Sequence, residues 1–162
     1  MKAQDLLCGA LSMSQHMLGM LLNDLSDADL LVRPVPGANH IAWQLGHLIV
    51  AEHGMVSGHL PGVAYPELPA GFADRHKKEA ATNDSGFGTK AEYLNLFNKV
   101  RQATIDAVAK LSDADLDRPT TGRMAAMVPT VGALLLLNAN HVDMHAGQFT
   151  VVRRKLGKPV LF

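Results

Sequence analysis

Two histidines four residues apart are the feature of this sequence that most directly suggests chemistry. His141 and His145 share one face of a predicted helix, with Cβ atoms about 6 Å apart. Both rings can therefore reach one cation at about 2.0–2.1 Å, the usual zinc–imidazole distance. The pair continues the apolar line of Leu134 and Leu137, so both rings are expected to face the protein interior. Two buried neutral imidazoles need polar partners, and a metal ion satisfies both.

A third ligand has to come from another helix, and His47 is the best placed of the remaining histidines. It lies at the edge of the apolar face of a second predicted helix, one turn after Trp43. His53 is about 120° from that face and is expected to contact solvent. The other histidines fall near helix ends or in a loop, where they can be surface residues: His16, His40, His59 and His76. Three histidines without a fourth protein ligand leave one coordination position open, as in catalytic metal sites.

The histidine pair is also compatible with two arrangements that involve no metal. The two rings can form a hydrogen-bonded pair in the core, or they can be exposed at the mouth of the protein. The pair is not the zinc-protease motif, because Val142 follows the first histidine where that motif has glutamate. Gln44, Asn138 and Gln148 each lie near a histidine by helical spacing, so they are candidates to orient a ligand or a histidine ring. Each can equally be an ordinary amide on a helix face.

The elements that must position these residues are helices. Apolar side chains recur at three- and four-residue spacing in four stretches, and no stretch shows the alternation of a strand. Asn39 is the expected N-cap of the second helix, Thr89 and Glu92 form a capping box before the third, and Pro129 is expected in the first turn of the fourth. Cys8 is expected as a small core residue. The pattern predicts an all-α four-helix bundle with helices near 3–24, 39–57, 89–110 and 128–156.

A repeated hexapeptide suggests how the four helices are organised. Leu-Ser-Asp-Ala-Asp-Leu occurs at residues 25–30 and again at 111–116, each time between two predicted helices. The chain is therefore predicted to consist of two helix–connector–helix repeats. Chance and shared capping chemistry are the alternative, because Ser-x-x-Asp is itself a helix-start signal. His47 corresponds to Ala133 in this alignment, so the histidines are not part of the repeat.

The segment 57–88 is rich in Gly, Pro, Asp and Asn. At roughly 30 residues it is long for a connection inside one domain. It can travel the ~25–30 Å length of a helix, which permits the second and third helices to run parallel. Long loops over a rigid bundle often carry substrate contacts, and disorder is the competing interpretation.

Composition limits the class of protein. With 48% apolar and 19% charged residues in 162, the chain is expected to form a single globular domain over 1–162. Its formal charge is zero, so neither nucleic acid nor an anionic membrane is an expected partner. A single cysteine, and a charged Asp5 that interrupts the apolar run before the lipoprotein-like sequence at 6–9, favour a cytoplasmic location.

Two segments resemble the DinB-like (damage-inducible B) family of metal-dependent proteins. They are residues 40–48, HIAWQLGHL, and residues 141–148, HVDMHAGQ, and the likeness extends to the two connectors and to the closing residues 153–159. The resemblance implies a four-helix bundle with a long crossover after the second helix, often dimeric. It also implies a divalent metal, nickel or zinc, on three histidines that map onto His47, His141 and His145.

The related enzymes suggest an activity. Most are thiol-dependent S-transferases and isomerases that use bacillithiol, mycothiol or glutathione, so the resemblance implies a thiol transferase or isomerase. Its small-molecule substrate would be an electrophile, and a low-molecular-weight thiol would be its second cofactor. One alternative is a metal-dependent hydrolase, for which Glu52 and Asp143 are the nearest acidic candidates, neither well placed. The other is a non-enzymatic stress-response binding or dimerisation module with a structural metal.

A short apolar run bears on assembly. Residues 124–127, Met-Ala-Ala-Met, precede the fourth helix. They form an apolar run that a single bundle is not expected to bury completely. We therefore expect a two-fold homodimer, with packing of the run in the core as the alternative.

Overall fold

The computed structural model describes the backbone of residues 1–162 and every side chain except that of Arg123. Within that part of the chain there is no strand, and the only β-type pairing is one isolated bridge between Pro119 and Thr130. The predicted all-α class is confirmed. None of the described helices is long and apolar enough to cross a membrane. The α-helices are α1 (Ala3–Leu22), α2 (Ile41–Ser57), α3 (Phe72–Arg75), α4 (Lys90–Val108), α5 (Asp113–Leu116) and α6 (Val131–Lys155).

The helix starts follow side-chain capping, and two predicted starts are wrong. The capping box of Thr89 and Glu92 opens α4 as predicted. The N-cap of α2 is His40 and not Asn39, because the His40 ring accepts the Trp43 backbone amide at 3.1 Å. Pro129 lies outside α6, since the Thr130 hydroxyl takes the cap by accepting the amide of Ala133 at 3.2 Å.

The long helices α1, α2, α4 and α6 form the bundle. Lys90, at the start of α4, donates to the carbonyls of Leu22 and Asn23 just where α1 ends, so these helices are antiparallel. Arg153, near the end of α6, donates to Leu21 near the end of α1, so α1 and α6 are parallel. Gln44 at the start of α2 meets the second half of α6. The helices α2 and α4 therefore run parallel, which is the arrangement that the long connection permits.

The two copies of the repeated hexapeptide fold alike. In the first, the Ser26 hydroxyl accepts the Asp29 amide and the Asp29 carboxylate accepts the Ser26 amide. In the second, Ser112 and Asp115 form the same reciprocal pair at the start of α5. The copies thus share one capping box, which both the duplication and the capping interpretation predict.

The crossover between α2 and α4 is folded against the bundle. It contains α3 and a 3₁₀ turn at Lys78–Ala80, and it buries Phe72 and His76. The Trp43 indole in α2 donates to the backbone carbonyl of Lys77 at 3.3 Å, and Tyr65 hydrogen-bonds Thr104 of α4 at 2.7 Å. The interpretation of this segment as disordered is therefore wrong. Cys8 is only half-buried, with its thiol 3.7 Å from the Ile105 carbonyl, so it lies at the edge of the core and not inside it.

One buried arginine touches every long helix. Arg101 of α4 is fully buried and donates to the Leu11 carbonyl of α1 at 3.2 Å and to the Asn138 carbonyl of α6 at 3.4 Å. Its guanidinium lies 2.8 Å from the Glu52 carboxylate of α2, which also accepts the Thr104 hydroxyl at 2.6 Å. A charge in the core is tolerated only when it is paired and hydrogen-bonded, so these contacts fix the relative positions of all four helices.

Removal of this arginine gives a first test of the fold. Arg101→Met should lower the free energy of unfolding by about 3–5 kcal/mol, because it leaves the Glu52 carboxylate buried without its cation. Chemical denaturation followed by circular dichroism measures the change. The double variant Glu52→Leu/Arg101→Met should be more stable than Arg101→Met alone. A loss of stability in the double variant equal to the sum of the losses in Glu52→Leu and Arg101→Met would contradict the coupling.

Candidate metal centre

The three predicted histidines lie together between α2 and α6. Each offers one ring nitrogen, and these three nitrogens all lie within 4.8 Å of one another. The Nε2 atoms of His141 and His145 are 3.2 Å apart. Two ligands that each lie about 2.0–2.1 Å from one tetrahedral ion are separated by about 3.4 Å, so this pair already has the spacing that a shared ion requires. His47 approaches both rings from α2, with centroid distances of 5.2 Å to His141 and 5.5 Å to His145.

Gln44 fixes the orientation of His145. Its side-chain oxygen lies 2.7 Å from His145 Nδ1, and its own NH₂ group donates to the Asn39 carbonyl at 2.8 Å. Because that second bond uses the amide nitrogen, the oxygen is left to face the ring. His145 therefore carries its proton on Nδ1 and directs the lone pair of Nε2 toward His141. A carbonyl behind the ring is the usual partner of a metal-binding histidine.

His47 packs on an aromatic ring of its own helix. The Trp43 ring stacks on it with centroids 5.0 Å apart and an interplanar angle of 8°. The nearby backbone carbonyl of His76 by itself raises the pKa of His47. Burial has the larger, opposite effect, so the net pKa lies below that of a free histidine.

All three rings are neutral at neutral pH. Burial, together with a smaller effect of the neighbouring histidines, lowers the pKa of both His141 and His145 to about 4. A neutral imidazole keeps the lone pair that binds a metal, whereas a protonated ring has none. Each of the three rings can therefore offer a nitrogen lone pair to a metal ion, and no proton has to be removed from a ring before the ion binds.

The cluster can be reached by solvent and holds no carboxylate. His47 and His141 are half-buried, while His145 is 8% exposed. Among the described side chains, the group of three histidines that could hold an ion contains no acidic residue. Glu52 is paired with Arg101 in the core, and Asp143 is exposed.

The remaining candidates of the sequence analysis lie elsewhere. The side chain of Asn138 is buried and donates to the Leu134 carbonyl of its own helix at 3.0 Å, and Gln148 is exposed. Neither is hydrogen-bonded to a histidine among the described contacts, so only Gln44 has the orienting geometry. Helical spacing placed all three equally near a histidine. It does not determine which amide another helix will meet.

Three further histidines differ from expectation. His53 is half-buried and packs on Tyr65 of the crossover, with ring centroids 4.7 Å apart, so it is not freely solvated. His40 and His76 are buried, at 0% and 1% exposure, and are not surface residues. His40 is the α2 cap, and its Nε2 meets the Asn83 carbonyl at 3.0 Å. The position of His76 against α2 was not predicted, although Gly46, adjacent to His47, marks a place where another group approaches α2 closely.

Known structures share this fold over nearly the whole chain. One is YfiT from Bacillus subtilis, which is described as "a probable metal-dependent hydrolase with an unusual four-helix bundle topology". It is 14% identical, with a TM-score of 0.68, and the match covers 96% of this chain and 89% of that one. A DinB-like protein from Bacillus cereus is 21% identical, with a TM-score of 0.70 and coverage of 96% and 95%. A conserved protein from Enterococcus faecalis is 15% identical, with a TM-score of 0.68 and coverage of 98% and 99%.

Sequence comparison identifies the family itself. No curated protein matches the chain. A family model described as the DinB superfamily matches residues 10–149, a span that contains His47, His141 and His145. Since that match covers most of the sequence and the fold agrees with it, this chain belongs to the DinB superfamily.

Proposed function

We propose that this protein is a metal-dependent enzyme whose divalent ion, nickel or zinc, is held by His47, His141 and His145. The observation that supports this most directly is the convergence of three neutral ring nitrogens within 4.8 Å, from two helices far apart in sequence. His145 donates through Nδ1 to the side-chain oxygen of Gln44. Its free Nε2 faces the other rings as an acceptor, as a ligand atom would.

We further propose that the reaction joins a low-molecular-weight thiol to a small electrophile. A divalent ion with an open coordination position lowers the pKa of a thiol, and the thiolate is the reactive form. In the transfer, the thiol loses its proton to solvent, a carbon–sulfur bond forms, and the bond from that carbon to the leaving group breaks. The chain contributes the three ring nitrogens and the neutral surroundings, and this chemistry needs no carboxylate base. The absence of an acidic side chain from the described cluster therefore favours a thiol over water as the nucleophile.

A metal-dependent hydrolase is the second candidate. It is favoured by the similarity to the Bacillus subtilis structure whose description names a probable metal-dependent hydrolase. A hydrolase ordinarily also uses a general base to deprotonate or orient water. Here Glu52 is paired with Arg101 at 2.8 Å in the core, so it cannot serve as that base without breaking the ion pair. A binding module with a structural metal is the third candidate, and the same experiments separate it from both enzymes.

The ligand set can be tested by single substitutions. His47→Ala, His141→Ala and His145→Ala should each reduce the metal content of purified protein to a small fraction of the wild-type level. The helical spectrum should change little, because the bundle core and not the ion supplies most of the stability. Elemental analysis of tag-free protein measures the metal. His53→Ala is the matched control on α2, and it should keep full occupancy because its ring packs on Tyr65, away from the cluster. Full occupancy in His47→Ala or His145→Ala would show that the ligand set is wrong.

The open position can be tested with a thiol. Addition of a low-molecular-weight thiol such as glutathione to cobalt-substituted protein should produce a sulfur-to-metal charge-transfer band in the near-ultraviolet, because the open position accepts the thiolate. The metal-free protein and the His145→Ala variant are the controls and should give no band. A protein that binds cobalt but gives no band with any thiol would favour the hydrolase or a structural ion.

We also propose that the protein is a homodimer. Met127 is 65% exposed, so the apolar run at 124–127 is not packed in the core as its alternative required. The adjacent helices α1 and α6 also expose apolar side chains, including Leu6 at 62%, Met13 at 61% and Met144 at 60%. Several large apolar side chains exposed on one molecule favour contact with a protein partner, and a second copy of this chain is the simplest such partner.

Sedimentation tests the assembly. Wild-type protein at micromolar concentration should sediment as a dimer. A charged residue placed in the dimer interface should weaken the association. Met127→Lys tests the run before α6, whereas Met13→Lys tests the outer face of α1, and the variant at the interface should shift toward monomer. Surface substitutions of this kind should leave the helical spectrum unchanged. A wild-type monomer would contradict the proposal.

A further inference from the structure

The cluster of three histidines offers no countercharge to a divalent ion. Imidazole is a neutral ligand, so an ion held by the three rings would keep both of its positive charges. No carboxylate belongs to this group among the residues that the structure describes. The charges of Glu52 and Arg101 cancel in their 2.8 Å ion pair, and Asp143 is exposed, so solvent screens its charge. The charge at the open position therefore depends on the groups that stand behind the rings.

Gln44 is the group behind His145. Its side-chain oxygen lies 2.7 Å from His145 Nδ1, and the residue is only 1% exposed. In many metal sites a carboxylate takes this place behind a histidine ring, and it adds a negative charge close to the ion. Gln44 makes the same hydrogen bond through an uncharged amide. The ring is thus oriented without any reduction of the positive charge that the ion would carry.

The backbone just before α2 disfavours a carboxylate at this position. The NH₂ group of Gln44 donates to the Asn39 carbonyl at 2.8 Å. An ionised glutamate has the same length, but its second oxygen would meet that carbonyl as an acceptor where a donor is needed. The amide satisfies both neighbours, because it carries an acceptor for the His145 ring and a donor for the carbonyl. The Asn39 carbonyl therefore selects a neutral partner for His145.

We propose that Gln44 sets the charge of the ligand that the open position prefers: its neutral amide leaves the bound ion doubly positive, so the site selects an anionic ligand such as a thiolate over a neutral one. This inference rests on the proposed metal-binding function and adds the charge class of the ligand. A carboxylate in the same place would cancel part of the ion's charge and weaken its attraction for an anion. Gln44 acts through His145 and is therefore a positioning residue.

The experiment compares an anionic and a neutral probe on cobalt-substituted protein. Thiocyanate and imidazole are titrated separately, and the visible absorption bands of cobalt give the two dissociation constants. Gln44→Glu should shift the ratio of these constants against thiocyanate by about 10-fold or more, because a unit charge several ångströms from an ion has an effect of this size inside a protein. The ratio reports charge, since a general distortion of the site weakens the binding of both probes.

Two further variants separate charge from structure. Gln148→Glu adds the same charge on α6, but Gln148 is exposed, so solvent screening should leave the ratio nearly unchanged. Gln44→Leu removes the carbonyl behind His145 without adding a charge. It should weaken cobalt binding about 10- to 100-fold, the usual effect of losing such a partner, yet the loaded protein should keep the wild-type ratio.

The outcomes distinguish this inference from the proposed function. A wild-type protein that binds no cobalt would overturn both. Wild-type protein that binds cobalt, with an unchanged probe ratio in folded Gln44→Glu, would overturn the inference alone. An equal shift of the ratio in Gln44→Leu would assign the effect to ring orientation and would also overturn it. If Gln44→Glu does not fold, Gln44→Asp decides, because its shorter side chain carries the same charge further from the Asn39 carbonyl.

Discussion

The buried guanidinium of Arg101 is the constraint on which the rest of the structure depends. A charge in the core has to be neutralised and hydrogen-bonded, and α1, α2 and α6 supply partners to the two terminal nitrogens of this guanidinium. Glu52 provides the countercharge from α2, while carbonyls of α1 and α6 accept further N–H groups. Apolar packing alone would tolerate small shifts between helices, whereas these hydrogen bonds have narrow distance and angle requirements. The bundle is therefore held in one register.

That register matters because the histidines come from different helices. His47 lies on α2 and His141 on α6, and their ligand atoms fall within 4.8 Å only if the two helices keep their relative height. Arg101 bonds α6 at the Asn138 carbonyl, less than one turn before His141, and pairs with Glu52 on α2. A displacement of one helix by about 1.5 Å, the rise of a single residue, would separate the ring nitrogens. The polar core thus also serves the site.

The surroundings of the cluster decide what its nitrogens can do. Burial keeps the rings neutral, and the side-chain carbonyl of Gln44 occupies one nitrogen of His145. The crossover is more than a connection that allows α2 and α4 to run parallel. Its Lys77 carbonyl accepts the indole N–H of Trp43, the residue that stacks on His47, and its His76 ring packs against Gly46.

The sequence by itself determined what local periodicity controls. Apolar spacing predicted the four long helices to within a few residues, the capping box set the start of α4, and four-residue spacing paired His141 with His145. Contacts between distant segments were decided only by the tertiary structure. Gln44, Asn138 and Gln148 have similar spacing to a histidine, yet only Gln44 faces one, because its contact depends on how α2 packs on α6. For the same reason, the burial of His40 and His76 was not predictable. His76 itself and Asn83, the partner of His40, lie in a crossover without periodicity, whose conformation is set by the surface on which it packs.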